Sequence, residues 1–230
     1  MNITLCRAFH FDSAHRNASP GAPPPVTRMH GHTYEAAVRL SGPIDKHMGW
    51  LLDFGEIKTI AGGVIDRLDH RCLNEIDGMT DTTVGDVARW ATASLQEKLG
   101  DNATCDIRVL GATGFTPTVA DDDLQATGMR VAFGFPAAHY LPRLPATHKC
   151  RRLHGHSFAC DVVADNANAV IDRLRKVYPL LDHTLLNEID GLDNPTSENL
   201  AHWLWTRLGD DIALNEIVVR ETCTTSCILR

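Results

Sequence analysis

The sequence predicts an α+β protein made of two similar units, each with an antiparallel sheet and helices on one face. In each half, two segments rich in strand-forming residues precede two amphipathic helical segments and a closing strand. A set of short motifs also recurs in the same order in both halves. The chain has 230 residues, 43% hydrophobic and 22% charged, which is enough for two small cores.

The repeated motifs are dominated by histidine. His-Gly-His occurs at residues 30–32 and again at residues 154–156, an offset of 124. An aromatic segment upstream ends in His15 in the first copy and in His139 in the second, at the same offset. Motifs that keep their order and spacing over this length indicate a tandem duplication.

A further pair of motifs shows that the second copy is shorter. Leu-Asp-His occurs at residues 68–70 and 181–183, an offset of 113 rather than 124, so 11 residues are missing from copy two. The missing part corresponds to residues 49–54, whose first four residues are predicted to form a short strand. An acidic stretch without apolar periodicity then indicates a linker. The predicted organisation is a first unit at 1–116, a linker at 117–128 and a second unit at 129–230.

Composition and charge narrow the classes of function. The chain has 12 histidines against seven phenylalanines and three tyrosines, and its formal net charge of −7 argues against general nucleic-acid binding. No run approaches the roughly 20 apolar residues of a membrane span, and the start does not resemble a signal peptide. Seven cysteines, an odd number, are expected to be reduced. We therefore expect a cytoplasmic protein without nucleic-acid or membrane partners.

Each copy carries a histidine triplet suited to a metal ion. Residues two apart on a strand point to the same side, so both histidines of each His-Gly-His project together. A third imidazole from a neighbouring strand end gives three nitrogen ligands, which with an open position is the pattern of catalytic zinc. The predicted ligands are His15, His30 and His32 in copy one, and His139, His154 and His156 in copy two.

A cysteine in a basic segment precedes the second triplet. Cys150 lies four residues before His154 and is flanked by Lys149, Arg151 and Arg152. Because nearby cations lower the pKa of a thiol, this setting predicts a reactive thiolate. The same cations suit a phosphate group on a substrate. A solvated basic loop with an ordinary cysteine is the alternative interpretation.

The two Asp-His pairs supply a base and a carboxylate. In a turn the two adjacent side chains can meet, and a carboxylate that fixes the tautomer of a histidine activates it as a base. The candidate pairs are Asp182–His183 in copy two and Asp69–His70 in copy one.

Together these residues resemble bacterial 6-carboxytetrahydropterin synthase, a branch of the 6-pyruvoyltetrahydropterin synthase family that serves queuosine formation. Copy two carries five motifs of that family in order. They are His139, Cys150-x3-His-Gly-His, Leu181-Asp-His, Asn-Pro-Thr-Ser-Glu at 194–198 and Val-Arg-Glu-Thr-Cys at 219–223. The gap of three residues after the cysteine is similar to the carboxy-forming branch, since the pyruvoyl-forming branch has a longer gap.

The resemblance implies a fold, a cofactor and a reaction. The fold is the tunnelling fold (T-fold), whose units assemble side by side into an oligomeric β-barrel, and the cofactor is zinc. The substrate is 7,8-dihydroneopterin triphosphate, from which triphosphate and acetaldehyde are released. Cys150 would move protons, with Asp182 and His183 as its relay. The implied substrate-binding residues are Glu221, which anchors the pterin ring, and Thr196, Ser197 and Glu198.

Both copies depart from the family pattern. Val26 stands at the copy-one position of the cysteine, and Gly111 stands at that of Glu221. Since copy two lacks the counterpart of residues 49–54, we expect the copies to share a site. Copy two would give the thiol, the metal and the carboxylate, while copy one would lend Asp69–His70 or residues 50–54. The alternative is that copy one is only a structural partner.

The sequence therefore predicts a zinc-dependent carbon–carbon lyase. Alternatives are pyruvoyl-forming elimination, a cleavage like that of dihydroneopterin aldolase, and a zinc- and pterin-binding scaffold without turnover. We also expect a homo-oligomer, specifically a trimer of two-unit chains.

Overall fold

The computed structural model describes residues 2–79, 81–111, 115, 118–120, 128–209, 211–222 and 225–230. Within these ranges the predicted repeat is visible as two sheets, each with its own helices and its own apolar core. Most of the predicted linker, and Cys223, lie outside the described residues.

The N-terminal unit has a four-stranded sheet with two long helices. Its elements are β1 (Asn2–His15), α1 (Pro24–Thr27), β2 (His30–Pro43), α2 (Phe54–Ile65), β3 (Arg71–Cys72), α3 (Val84–Leu99) and β4 (Ala103–Leu110). The sheet order is β3-β1-β2-β4, and every pair is antiparallel except β3 with β1.

The C-terminal unit repeats this plan with additional edge strands. Its elements, including a short strand from the predicted linker, are β5 (Thr118–Ala120), β6 (Met129–His139), β7 (His154–Ala164), α4 (Ala167–Leu181), β8 (Thr184–Leu185), α5 (Ser197–Leu208), β9 (Leu214–Thr222) and β10 (Thr225–Leu229). The sheet order is β10-β9-β7-β6-β5, and β8 runs parallel to the end of β6.

Alternation along the central strands builds each core. On β2, Tyr34, Ala36 and Val38 are buried on one side, and they belong to the same apolar cluster as Ile57 and Val64 of α2. This is the period of two expected for a strand with one buried face. The predicted α+β class with helices packed on the sheets is therefore confirmed.

One predicted strand, residues 49–52, is wrong. Gly49 has a φ of +78°, and the backbone N–H of Asp45 donates to the Trp50 carbonyl, so the chain closes a loop here. The Asp53 carboxylate then accepts hydrogen bonds from the N–H groups of Gly55 and Glu56, which caps α2 as predicted.

The two sheets meet end to end, at the strand ends that carry the histidine triplets. The backbones of Gly31 and Gly155 touch, and a Cβ atom on Gly155 would lie 2.5 Å from Gly31 Cα and 2.6 Å from the Ala137 carbonyl oxygen. Beside them the N–H of Thr33 donates to Ser157 Oγ, and the N–H of Ser157 donates to Thr33 Oγ1, both at 3.3 Å. These reciprocal bonds give the junction an approximate two-fold symmetry.

Among the described residues, no helix combines the length and apolar character that a membrane crossing requires. The oligomeric β-barrel is a property of several chains, and it stays a prediction.

The close backbone contact predicts that Gly155→Ala destabilises the protein. Because the added methyl group meets backbone atoms that cannot move aside, we expect a loss of roughly 1–3 kcal/mol in the free energy of unfolding. Gly63→Ala in α2 is the control, since its Cβ would meet nothing within 4 Å and helix propensity improves. Urea unfolding measures both variants, and a Gly155→Ala protein as stable as wild type would contradict the described junction.

Candidate active site

Three histidine nitrogens and one carboxylate oxygen converge at the junction end of the C-terminal sheet. The distance between the Nε2 atoms of His139 and His154 is 3.1 Å, and Glu221 Oε1 lies 3.0 Å from His139 Nε2 and 3.1 Å from His156 Nε2. Ligands on a tetrahedral zinc at about 2.0–2.1 Å stand roughly 3.3 Å apart. The donor set and its spacing therefore fit a zinc ion. We call these four residues the C-terminal centre.

The outward-facing Nδ1 atom of each of these histidines lies beside an acceptor. The acceptors are Pro195 O at 3.0 Å from His139, Arg152 O at 2.8 Å from His154 and Asp12 Oδ1 at 3.1 Å from His156. An acceptor on Nδ1 favours the tautomer whose Nε2 lone pair is free to bind a metal.

Burial and charge set the protonation of the C-terminal centre without metal. Burial and the neighbouring histidines lower the pKa of His154 to about 2. Burial also opposes a charge on His156, but the carboxylates of Asp12 and Glu221 outweigh it and raise the pKa of His156 to about 9. Although partial burial would raise the pKa of Glu221, its hydrogen bonds with the histidines hold that pKa well below the usual range. Metal binding therefore displaces a proton from His156.

The Asp-His pair of the N-terminal unit lies at the C-terminal centre. The His70 ring stacks on the His154 ring with centroids 4.4 Å apart, and ligand atoms of His70, Cys150 and His154 lie within 4.8 Å of one another. Asp69 Oδ1 lies 2.8 Å from His70 Nδ1 and orients the ring. The structure thus brings together the thiol, the triplet and Asp69–His70, as one form of the shared-site hypothesis expects.

An unusual backbone conformation places each Asp-His pair. His70 and His183 adopt φ values of 54° and 53°, a left-handed conformation that is uncommon for residues with a side chain. Their backbone N–H groups donate to the carbonyls of Asp12 and Pro136, at 2.7 and 2.8 Å. The turn lets the adjacent carboxylate reach the imidazole, with Asp182 Oδ1 2.9 Å from His183 Nδ1.

Within one chain the structure does not bring Asp182–His183 to Cys150, and their role as its relay stays a prediction. The His183 ring instead packs against His30 with centroids 4.5 Å apart, and an Arg28 guanidinium N–H donates to the Asp182 carbonyl. The reason is the end-to-end junction, which carries the Asp-His pair of each unit across to the triplet of the other.

Residues 50–54 do not reach either centre. They follow the far end of β2, a strand of 14 residues that spans roughly 40 Å from the junction. Trp50 and Phe54 are exposed there. Within one chain these residues therefore do not contribute to a centre, and the second form of the shared-site hypothesis stays a prediction.

The triplet of the N-terminal unit forms a second, less complete cluster. His15, His30 and His32 are buried, and one nitrogen of each lies within 4.8 Å of the others. In the described part of the chain His15 Nε2 has no hydrogen-bond partner, as expected for an atom aimed at a metal. Val26 and Gly111 replace the thiol and the carboxylate. We call this triplet the N-terminal centre.

The predicted lowering of the Cys150 pKa is wrong for the metal-free protein. Partial burial and the negative charge of Glu221 raise the pKa of this thiol, and Lys149 opposes them only in part. Lys149 Nζ lies 3.2 Å from Asp69 Oδ2, which ties its charge to the relay carboxylate.

The two arginines predicted to bind phosphate hold the loop around Cys150. Arg151 donates to the carbonyls of Pro142 and Leu144, both at 2.6 Å. Arg152 donates to the His70 carbonyl at 3.1 Å. Both side chains therefore have structural contacts that a phosphate group would have to share or displace.

The predicted pterin-binding residues separate into two groups. Ser197 Oγ donates to Glu221 Oε2 at 3.0 Å, so it orients the carboxylate of the C-terminal centre. Thr196 caps α5, and Glu198 is exposed in the first turn of that helix, so neither contacts the centre. A cavity of about 160 Å³ between the units has Glu221, Thr33 and Ser157 in its wall.

Sequence reasoning missed Asp12 as a neighbour of His156. The signal was present in the repeat, because the copy-two position equivalent to Asp12 is Pro136, at the offset of 124. Aspartate stands in one copy and proline in the other, three residues before a predicted metal ligand. This difference indicated that the surroundings of the two metal sites are not the same.

Comparison with known proteins identifies relatives that each match part of this chain. A 6-carboxy-5,6,7,8-tetrahydropterin synthase from Synechocystis sp. is 38% identical over 114 residues, covering 41% of this chain and 85% of the relative. A dihydroneopterin monophosphate aldolase from Pyrococcus furiosus is 37% identical over 71 residues, covering 31% of this chain and 59% of the relative.

Among solved structures, a 6-pyruvoyl tetrahydropterin synthase from Caenorhabditis elegans matches 49% of this chain and 97% of its own, with 23% identity and a TM-score of 0.40. The profile of the family described as 6-pyruvoyl tetrahydropterin synthase matches residues 4–113 and 128–230, one segment for each unit. The resemblance found in the sequence is thereby confirmed, and the chain belongs to the 6-pyruvoyl tetrahydropterin synthase family.

Proposed function

We propose that this protein is a zinc-dependent 6-carboxytetrahydropterin synthase with one complete active centre per chain. The substrate would be 7,8-dihydroneopterin triphosphate, as part of queuosine or deazapurine formation. The observation that carries the proposal is the meeting of Cys150 and His70 at His154, which is itself one of the three histidines of the C-terminal centre. A zinc ion held by His139, His154 and His156 would polarise an oxygen of the substrate side chain.

Proton movement would fall to Cys150 and His70. Because burial keeps the thiol protonated without metal, Cys150 needs a nearby proton acceptor to react as a thiolate. His70 lies within 4.8 Å of it, and Asp69 at 2.8 Å fixes the orientation of the His70 ring. This is the arrangement of a nucleophile or acid, a base and an orienting carboxylate.

Binding of the pterin ring would use Glu221 and the cavity beside it. A carboxylate can accept two parallel N–H bonds from an amino-pyrimidine edge. Glu221 already lies in the cavity wall, with Ser197 holding its Oε2 atom. To receive the ring, its Oε1 atom would turn away from the histidine nitrogens.

A scaffold without turnover is the second candidate, and one observation favours it. With Glu221 Oε1 3.0–3.1 Å from two ligand nitrogens, the C-terminal centre has four protein donors, which is typical of structural zinc. The aldolase relative adds a third possibility, cleavage to a hydroxymethyl pterin. Product analysis distinguishes these three functions. For each of them we expect the same assembly, a trimer of two-unit chains.

We predict two zinc ions per chain, one at each centre. His154→Ala should remove the C-terminal ion and His30→Ala the N-terminal ion, because each deletes one of three histidine ligands. His202→Ala is the control, since His202 is exposed on α5. Metal analysis by mass spectrometry, with circular dichroism to check folding, measures the content. One zinc per wild-type chain would contradict metal binding at the N-terminal centre.

Turnover should depend on the Asp-His pair of the N-terminal unit. With dihydroneopterin triphosphate as substrate, Cys150→Ala and His70→Ala should each lower kcat by about 10²–10⁴-fold, the usual contribution of a proton-transfer group. His183→Ala should lower it by less than about tenfold, because that ring packs against the N-terminal centre.

His202→Ala should match wild type in the same assay, with products identified by mass spectrometry. A larger loss in His183→Ala than in His70→Ala would contradict the assignment of the relay. No turnover by wild type would favour the scaffold, and a hydroxymethyl product would favour the aldolase.

A further inference from the structure

A carboxylate of the N-terminal unit contacts a metal-site histidine of the C-terminal unit. Asp12, on β1, places Oδ1 3.1 Å from Nδ1 of His156. Thr33 Oγ1 donates to the same oxygen at 2.7 Å, which fixes the carboxylate. The His156 side chain is only 2% exposed, so this contact lies in the interior of the junction.

The N-terminal centre has no equivalent carboxylate. Asp12 pairs with Thr33 in the first sheet, and Pro136 pairs with Ser157 at the same place in the second. His32, the counterpart of His156, is buried, and among the described residues no carboxylate forms an ion pair with its ring, whereas Asp12 does so with His156. The two centres therefore share their ligand type but differ in what holds the third ligand.

We propose that Asp12 is a positioning residue that makes the C-terminal centre the tighter of the two metal sites, acting through His156 across the junction. A carboxylate that accepts the Nδ1 proton of a ligand histidine fixes the ring and makes Nε2 a better donor. Loss of such a partner typically weakens metal binding 10–100-fold. The inference rests on the proposed metal binding, which it deepens by ranking the two sites.

The side chain of Asp12 can be tested separately from the relay. Contacts between Asp12 and the relay use only its backbone: the N–H donates to Asp69 Oδ1 at 3.1 Å, and the carbonyl accepts from the His70 N–H at 2.7 Å. A side-chain substitution leaves these atoms in place. An effect on the metal therefore reports the carboxylate.

The test is competition for zinc between the full-length protein and a chromophoric chelator, for wild type, Asp12→Ala and Asp12→Asn. Asp12→Ala should weaken one of the two sites 10–100-fold and leave the other unchanged. Asp12→Asn keeps an acceptor oxygen and should weaken it less. The effect should persist in a His30→Ala background, where the C-terminal centre is the remaining complete site. The absorption spectrum of the cobalt(II) protein should shift at the same site.

Asp53→Ala is the matched control. It removes the α2 cap, a loss of about 1 kcal/mol in folding stability, at the far end of β2 from both centres. Both zinc affinities should stay at their wild-type values.

Two results would overturn the proposal: an Asp12→Ala protein with wild-type zinc affinity at both sites, or one with an equal loss at both. A wild-type protein that binds no zinc would instead contradict the proposed metal function itself.

Discussion

The backbone contact between Gly31 and Gly155 determines how the rest of the site is assembled. Because both positions lack a side chain, the ends of the two sheets can approach until the backbones of their histidine-bearing strands touch. That approach places His70 on His154 and His183 on His30. Each centre thus takes its three histidines from one unit and its Asp-His pair from the other.

The two units then differ in which residues they retain. The N-terminal unit has lost groups that would act at its own centre, with Val26 and Gly111 in place of a thiol and a carboxylate. It keeps Asp69, His70 and Asp12, which lie beside the C-terminal centre: His70 stacks on His154, Asp69 contacts His70, and Asp12 contacts His156. The C-terminal unit in turn keeps Asp182–His183, although this pair lies at the N-terminal centre, which has neither the thiol nor the carboxylate. We infer that the first copy contributes side chains to the one site that has both a thiol and a carboxylate.

Sequence reasoning predicted most of the elements, and which histidines lie together, because both depend on local spacing. His30 and His32 share a strand face, and Asp53 caps the next helix, whatever the rest of the chain does. Sequence reasoning failed where the neighbours of a residue depend on how the two units pack together. The partner of Cys150 is set by how the units dock, and the Cys150 pKa is set by burial and by Glu221, which lies 71 positions away in the chain. The difference between Asp12 and Pro136, which stand at the same position of the repeat, was the sequence feature that indicated this geometry.

The central claim is that one chain builds its C-terminal centre from both units. A crystal structure of the zinc-loaded protein, with anomalous scattering at the zinc edge, tests it most directly. The account predicts zinc on His139, His154 and His156, with the ring of His70 from the same chain stacked on His154. Zinc at that triplet faced by His183, with His70 remote from it, would contradict the account.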